Sequence, residues 1–192
     1  MELERVLEVA KERLSAERFL HVEGTVAAAA VLGERFGEGP VKEWAMIAAA
    51  LHDIAKCEPE ERLRALLKED WVTSSHIHWE DYGKQLWHGP AGAVVAKKEL
   101  GITNDTILNA IRYHTTGYLD MTMIDKIVFV ADSIEARRNM PWVDECRKIS
   151  DLNLDLAVLY SYRKRIEYLL EKRILIHPYT ILGYNEMLRE VG

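Results

Sequence analysis

The chain has 192 residues, 48% hydrophobic and 29% charged, which suits one soluble globular domain, since no Pro-, Gly- or Ser-rich linker divides it. A formal net charge of −6 argues against wrapping a nucleic-acid backbone, which needs clustered Lys and Arg, and no apolar run reaches the length that spans a membrane. Cys57 and Cys146 are too few for a disulfide framework and fall in no paired-ligand spacing, and the stretch MELERVLEVAKERL is charged throughout, unlike a secretion signal; a cytoplasmic protein with reduced thiols is expected.

Apolar residues recur at helical spacing through Leu3, Val6, Leu7, Ala10 and Leu14, and again through Val26, Ala29, Ala30 and Leu32 before a break at Gly37, Gly39 and Pro40. A third helix is predicted from Val41 to Cys57, with Pro59 stopping it or starting the next. Further helical patterns cover 60–69, 89–100, 104–114, 122–139, 154–173 and 178–190. No segment alternates with period two between hairpin turns, so the predicted fold class is all-α. One connection is long, the stretch DWVTSSHIHWEDYGKQLW at 70–87. It reads either as a lid over a pocket or, with better odds, as tryptophans packed on a neighbouring helix. The runs KKE (97–99) and RKR (163–165) read as solvated helix faces. Apolar surface near Trp142 and Tyr160 offers a contact for a homodimer.

The chemistry lies in histidines and carboxylates. His52 and Asp53 stand side by side at the end of an alanine-rich run, with Lys56 one turn on. His21 follows RFL at the predicted junction of the first two helices, His88 opens another helix, and His114 ends one just before TTG. Asp132 lies close to the apolar stripe of MIDKIVFVADSIEARR, where a carboxylate needs a cation, donors or a route to water. Taken singly, each histidine equally suits a hydrogen-bonded structural role. As a set from different helices, His21, His52, Asp53, His88, His114 and Asp132 can project into one interior site.

Imidazoles mixed with carboxylates suit Fe, Mn, Co, Ni or Zn better than Mg or Ca, whose ligands are almost all oxygen. Six protein ligands would saturate one ion, whereas two ions bridged by Asp53 keep positions open for water and substrate. Lys56, Arg18 one turn before His21, and Arg138 six residues after Asp132 are then candidate phosphate ligands, although each alone also reads as a surface cation.

These residues carry a resemblance. The order His21, His52–Asp53, Asp132 resembles the HD-domain metal-dependent phosphohydrolases, and His88 and His114 resemble the extra ligands of its two-metal members. The stretches RFLH (18–21), HDIAK (52–56), HG (88–89), HTTG (114–117), ADSIEARR (131–138) and HPYTILGYN (177–185) together resemble the bacterial YqeK family, the symmetrical diadenosine-tetraphosphate hydrolases. The match departs from that pattern at Ala136 and Met140, and His76 and His78 belong to no motif.

The resemblance implies an HD-type helical bundle in a single domain, with a metal-binding core at about 15–140 and C-terminal helices at about 150–192 completing a nucleotide pocket. It implies two transition-metal ions, iron before manganese or cobalt. It implies cleavage of diadenosine tetraphosphate to two ADP by a metal-activated hydroxide attacking an inner phosphorus, with Asp53, Lys56 and Arg18 in catalytic roles. Thr115, Gly117, Arg138, Thr180 and Asn185 would join Arg18 and Lys56 in contacting the substrate. Two alternatives keep the same residues: hydrolysis of mononucleotides or deoxynucleoside triphosphates, and a metal-containing nucleotide-sensing module without turnover.

Overall fold

The computed structural model describes residues 2–70 and 77–191, which form ten α-helices and two short 3₁₀ turns, with no β-strand among them. The helices are α1 (Leu3–Arg13), α2 (Ala16–Phe36), α3 (Val41–Leu51), α4 (Glu60–Lys68), α5 (His88–Lys98), α6 (Asp105–Tyr113), α7 (Met123–Ile134), α8 (Val143–Leu152), α9 (Leu154–Lys172) and α10 (Pro178–Val191); the turns are Trp79–Tyr82 and Lys84–Leu86. The fold is all-α.

Local signals set several starts. Ser15 Oγ accepts the amide of Arg18 at 3.3 Å to begin α2, and Asn153 accepts the amide of Leu156 to begin α9. Thr122 and Asp125 form a reciprocal capping box at α7. α7 runs through the centre, packed by α2, α3, α6, α8 and α9. Ile127, Val128, Phe129 and Val130 on it are wholly buried, each contributing about 1.5–3 kcal/mol. Such burial on every side anchors the helix that carries Asp132. Across from it, α3 offers Ala45, Ala48, Ala49 and Ala50, all fully buried; with so little side chain, α3 sits close against α1, α2, α6 and α7.

The structure differs from the expected boundaries in four places. The predicted helix 41–57 stops at Leu51, and 52–57 are successive turns with amide bonds from Ile54 to Leu51, Lys56 to Asp53 and Glu58 to Ala55. The cause lies in His52, whose Nδ1 lies 2.7 Å from the Ala49 carbonyl, the acceptor a continued helix would give to Asp53. The predicted helix 122–139 stops at Ile134, where Glu135 turns extended at ψ 156°. α8 falls in a stretch where the sequence shows no helical period, its buried residues Val143, Cys146 and Ser150 too sparse among charges to make one. His21 lies inside α2, in its second turn, and not at a helix junction.

Of the 70–87 segment, 71–76 with His76 lie outside the described residues. The remainder packs as its favoured reading requires: Trp79 and Trp87 are buried, the Trp87 indole donates to the Trp79 carbonyl at 3.0 Å, and Trp79 stacks on His177 at 4.5 Å. At the preceding end, Asp70 takes a fork of hydrogen bonds at 2.8–3.2 Å from Arg112 of α6, both buried. His78 is exposed.

Candidate metal centre

Six side chains from five parts of the fold converge. His21 comes from α2, His52 and Asp53 from the turn after α3, His88 from the first position of α5, His114 from the residue after α6, and Asp132 from the last turn of α7. All six are buried. His21, His52 and Asp53 form one group in which a ligand atom from each lies within 4.8 Å of the others, and Asp53, His88 and His114 form a second. In the first, His21 Nε2 lies 3.2 Å from His52 Nε2 and 3.1 Å from Asp132 Oδ1. In the second, His88 Nε2 lies 3.0 Å from His114 Nε2 and 3.1 Å from Asp53 Oδ1.

Asp53 divides its carboxylate between the two. Oδ2 faces His52 at 3.5 Å and His21 at 3.9 Å, while Oδ1 faces His88 and, at 3.8 Å, His114. Two cations could therefore be held side by side with this residue as the shared bridge.

The far nitrogens are tied back. His52 Nδ1 meets the Ala49 carbonyl and His114 Nδ1 meets the Ile111 carbonyl at 2.8 Å, each three residues upstream at a helix C-terminus whose carbonyls lack helical partners. A ring that donates from Nδ1 presents the Nε2 lone pair to the site, the tautomer a metal requires. His21 Nδ1 lies 3.2 Å from Glu135 Oε1, a carboxylate behind a ligand imidazole. Glu135 is itself buried and receives the Arg137 amide at 2.7 Å. Gly24 leaves the room for it, because a Cβ there would stand 2.5 Å from Glu135 Oε2.

The model for the HD domain matches residues 18–137, a span that holds all six converging residues. The chain belongs to the HD domain family. This HD domain is 37% identical to the symmetrical bis(5'-nucleosyl)-tetraphosphatase of Bacillus subtilis, over 96% of this chain and 97% of that protein. It is 34% identical to the protein of the same name from Halalkalibacterium halodurans, over 97% of each. It therefore belongs with that group of enzymes within the family. Among solved structures, a predicted HD superfamily hydrolase of Clostridium acetobutylicum, described as involved in NAD metabolism, superposes with a TM-score of 0.89 at 32% identity, covering 99% of this chain and 98% of that one.

The electrostatics of this HD domain suit cation binding. Burial works against the charge on Asp53, yet His52 and His88 beside it hold its carboxyl well below the usual range. Burial likewise opposes Asp132, and the hydrogen bond from His21 with the Arg138 cation holds it well below. Burial, with the neighbouring His52 and His88, pushes His114 well down, and burial lowers His88. At His52 the Asp53 charge overcomes burial and raises the ring. Both carboxylates are thus ionised and two of the rings favour the neutral form that binds a metal.

Cations ring this cluster. Arg18 Nη1 donates to Asp53 Oδ2 at 3.0 Å, and Arg138 Nη2 donates to Asp132 Oδ1 at 2.6 Å. Lys56 Nζ lies 3.1 Å from His88 Nε2 and 3.9 Å from Asp53 Oδ1, and burial lowers its affinity for a proton. Thr115 follows His114, with its hydroxyl oxygen buried. Thr180 spends its hydroxyl on the Thr116 carbonyl at 3.0 Å, tying α10 to the HTTG turn.

Gly117 and Asn185 are not drawn into the cluster. Gly117 has φ 60° and faces Tyr162, whose hydroxyl would stand 1.8 Å from a Cβ; Gly183 faces the same hydroxyl at 2.2 Å. These glycines are required by the fit of α9 against the HTTG turn and α10. Asn185 is exposed on α10. The RKR run also departs from its reading: Arg163 is exposed, but Arg165 is partly buried and its guanidinium lies 4.5 Å from the centre of the Phe129 ring. Trp142 and Tyr160, read as dimer surface, are half-buried with ring centres 6.4 Å apart within the chain. Glu135 and Arg165 are the residues that sequence reasoning passed over. No helix among the described residues is long and apolar enough to cross a membrane.

Proposed function

We propose that this HD domain hydrolyses diadenosine tetraphosphate symmetrically to two ADP at a binuclear metal site. The observation that carries the reading is Asp53, one oxygen in each of two histidine groups. The names of the relatives, which share 34–37% of their residues with this chain over nearly its whole length, supply the substrate.

The donor set fits a transition metal: imidazole Nε2 atoms with a bridging carboxylate, the rings held by backbone carbonyls and Glu135. His21, His52, Asp53 and Asp132 would hold one ion and Asp53, His88 and His114 the other, with iron the favoured metal and manganese or cobalt able to replace it. Such a pair supplies Lewis acidity that activates water and withdraws charge from the phosphoryl oxygens.

The chain's own groups do the rest. Arg18 and Arg138, which grip Asp53 and Asp132 at the cluster's edge, offer guanidinium donors to the phosphates on either side of the reacting phosphorus. Lys56 stands beside His88 and offsets charge that grows on the departing oxygen. The bond from an inner phosphorus to its bridging oxygen breaks, one ADP leaves with that oxygen, and the other retains the oxygen from water.

Anaerobic purification followed by metal analysis and chromatography of a diadenosine tetraphosphate digest tests this reading. Close to two transition-metal ions per chain and ADP as sole product are expected. An intact dinucleotide, with phosphate released from mononucleotides instead, would overturn the substrate.

A further inference from the structure

Of the cavities around the cluster, one opens on Lys56 and His88 and two others share a wall. The first of these two, of about 370 Å³, is lined by Asp132, Arg138, Met140, Trp142, Arg165 and Tyr168 among others. The second, of about 300 Å³, is lined by Gln85, Thr115, Arg165, Tyr168, Leu175 and His177 among others. They are similar in size, and Arg165 and Tyr168 belong to both. The first reaches Asp132, in contact with His21 of one metal group. The second reaches Thr115, next in sequence to His114 of the other.

The second cavity shows the marks of a ligand site. Among the described residues three buried side-chain polar atoms have no hydrogen-bond partner, and two of them, Thr115 Oγ1 and His177 Nε2, belong to residues of this one cavity. His177 is 1% exposed, and its Nδ1 accepts the Tyr179 amide at 3.3 Å. A neutral ring that accepts at Nδ1 carries its proton on Nε2, so the orphan is a donor. Burial keeps the ring neutral, lowering its pKa to about 4. Buried polar atoms without partners are costly, and a nucleoside presents ring nitrogens and ribose hydroxyls that match a donor and a hydroxyl.

The shared wall matches the middle of such a ligand. Arg165 donates to the carbonyls of His114 and Thr115, and no carboxylate among the described residues pairs with it. A guanidinium with five N–H donors, its face on Phe129 and its hydrogen bonds going to carbonyls, is suited to phosphate oxygens. Tyr168, 52% exposed, offers a ring face on which a base can stack.

We infer that these cavities are the two nucleoside seats of one dinucleoside polyphosphate, with Thr115 and His177 recognising the second nucleoside and Arg165 gripping the phosphate chain where it passes between them. This rests on the reading of the chain as a dinucleoside polyphosphate hydrolase and explains how a cut falls at the middle: equal halves seated in adjoining cavities leave the centre of the phosphate chain at their shared wall, between Asp132 and Thr115.

The test is a titration of the metal-loaded protein with ADP, alongside steady-state cleavage of diadenosine tetraphosphate. The wild type should bind two ADP per chain. Leu175→Trp, at a position 65% exposed and so free of any role in the core, should close the second seat, leave one ADP bound and raise KM about tenfold. One ADP bound by a wild type that cleaves the dinucleotide, or two still bound by Leu175→Trp with KM unchanged, would overturn the two-seat assignment and leave the activity standing. Two ADP bound without cleavage of the dinucleotide would uphold the seats and overturn the activity.

Discussion

Asp53 faces both histidine groups with different oxygens, so its replacement cannot be confined to one group. Asp53→Asn keeps the shape and removes the charge. Turnover should be lost and metal content should fall while the circular dichroism spectrum stays helical; retained activity would refute the bridging role. Glu135 acts one step back, through His21. Glu135→Gln should lower metal affinity by roughly 10–100-fold, read by competition with a chelator, with much of the activity restored at saturating metal. The six converging residues were legible in the sequence because histidine and aspartate stand out beside alanine-rich and apolar helical runs. Glu135 was not, since it reads as one acid among many and its partner is 114 positions away. Arg165 was hidden by its neighbours: in YRKRIEY nothing but the packing of α9 over Phe129 separates it from the exposed Arg163.

Helix existence was legible wherever apolar residues recur, and so were most helix ends to within two residues; the end of α3 was not, because it is set by a side chain that faces the site. His52 takes a carbonyl from α3 and His114 takes one from α6, so each ring stands at the end of its helix with its free nitrogen aimed inward. α5 is held to α6 just as closely: a Cβ at Gly89 would stand 2.5 Å from the Arg112 carbonyl, which is why a glycine follows His88. Arg112 also fastens the end of α4 through its fork to Asp70. The pair is nearly free of solvent, with side chains 1% and 4% exposed, so a neutral residue at position 70 weakens every arm of a buried, charge-assisted fork. Asp70→Asn should cost about 3–5 kcal/mol, seen as a lower urea midpoint with an unchanged slope. A loss below about 1 kcal/mol would place the pair with weak surface bridges.

Across the whole molecule, the C-terminal helices close one side of the cluster. α9 brings Arg165 against the turn that bears His114 and Thr115, Thr180 of α10 reaches Thr116, and His177 sits between the two helices, stacked on Trp79 at 4.5 Å. The HPYTILGYN stretch is thus partly structural: His177 stacks, Thr180 ties, and Gly183 makes way for the Tyr162 hydroxyl. His177 also gives the assembly a specific response to acid. Burial lowers its pKa in the folded chain from 6.5 to about 4, so below pH 6.5 the unfolded chain binds a proton that the folded chain refuses. The contribution of this ring to stability is then complete above pH 6.5 and is lost progressively as the pH falls to about 4. The quantity to measure is the difference in Tm between the wild type and His177→Phe, which keeps a flat ring against Trp79 but cannot take a proton. That difference should shift against the wild type between pH 6.5 and 4 and stay level between pH 7 and 8. A constant difference across the whole range would mean that His177 is protonated as readily in the folded chain as in the unfolded one, and that its Nε2 is not the buried donor the geometry makes it.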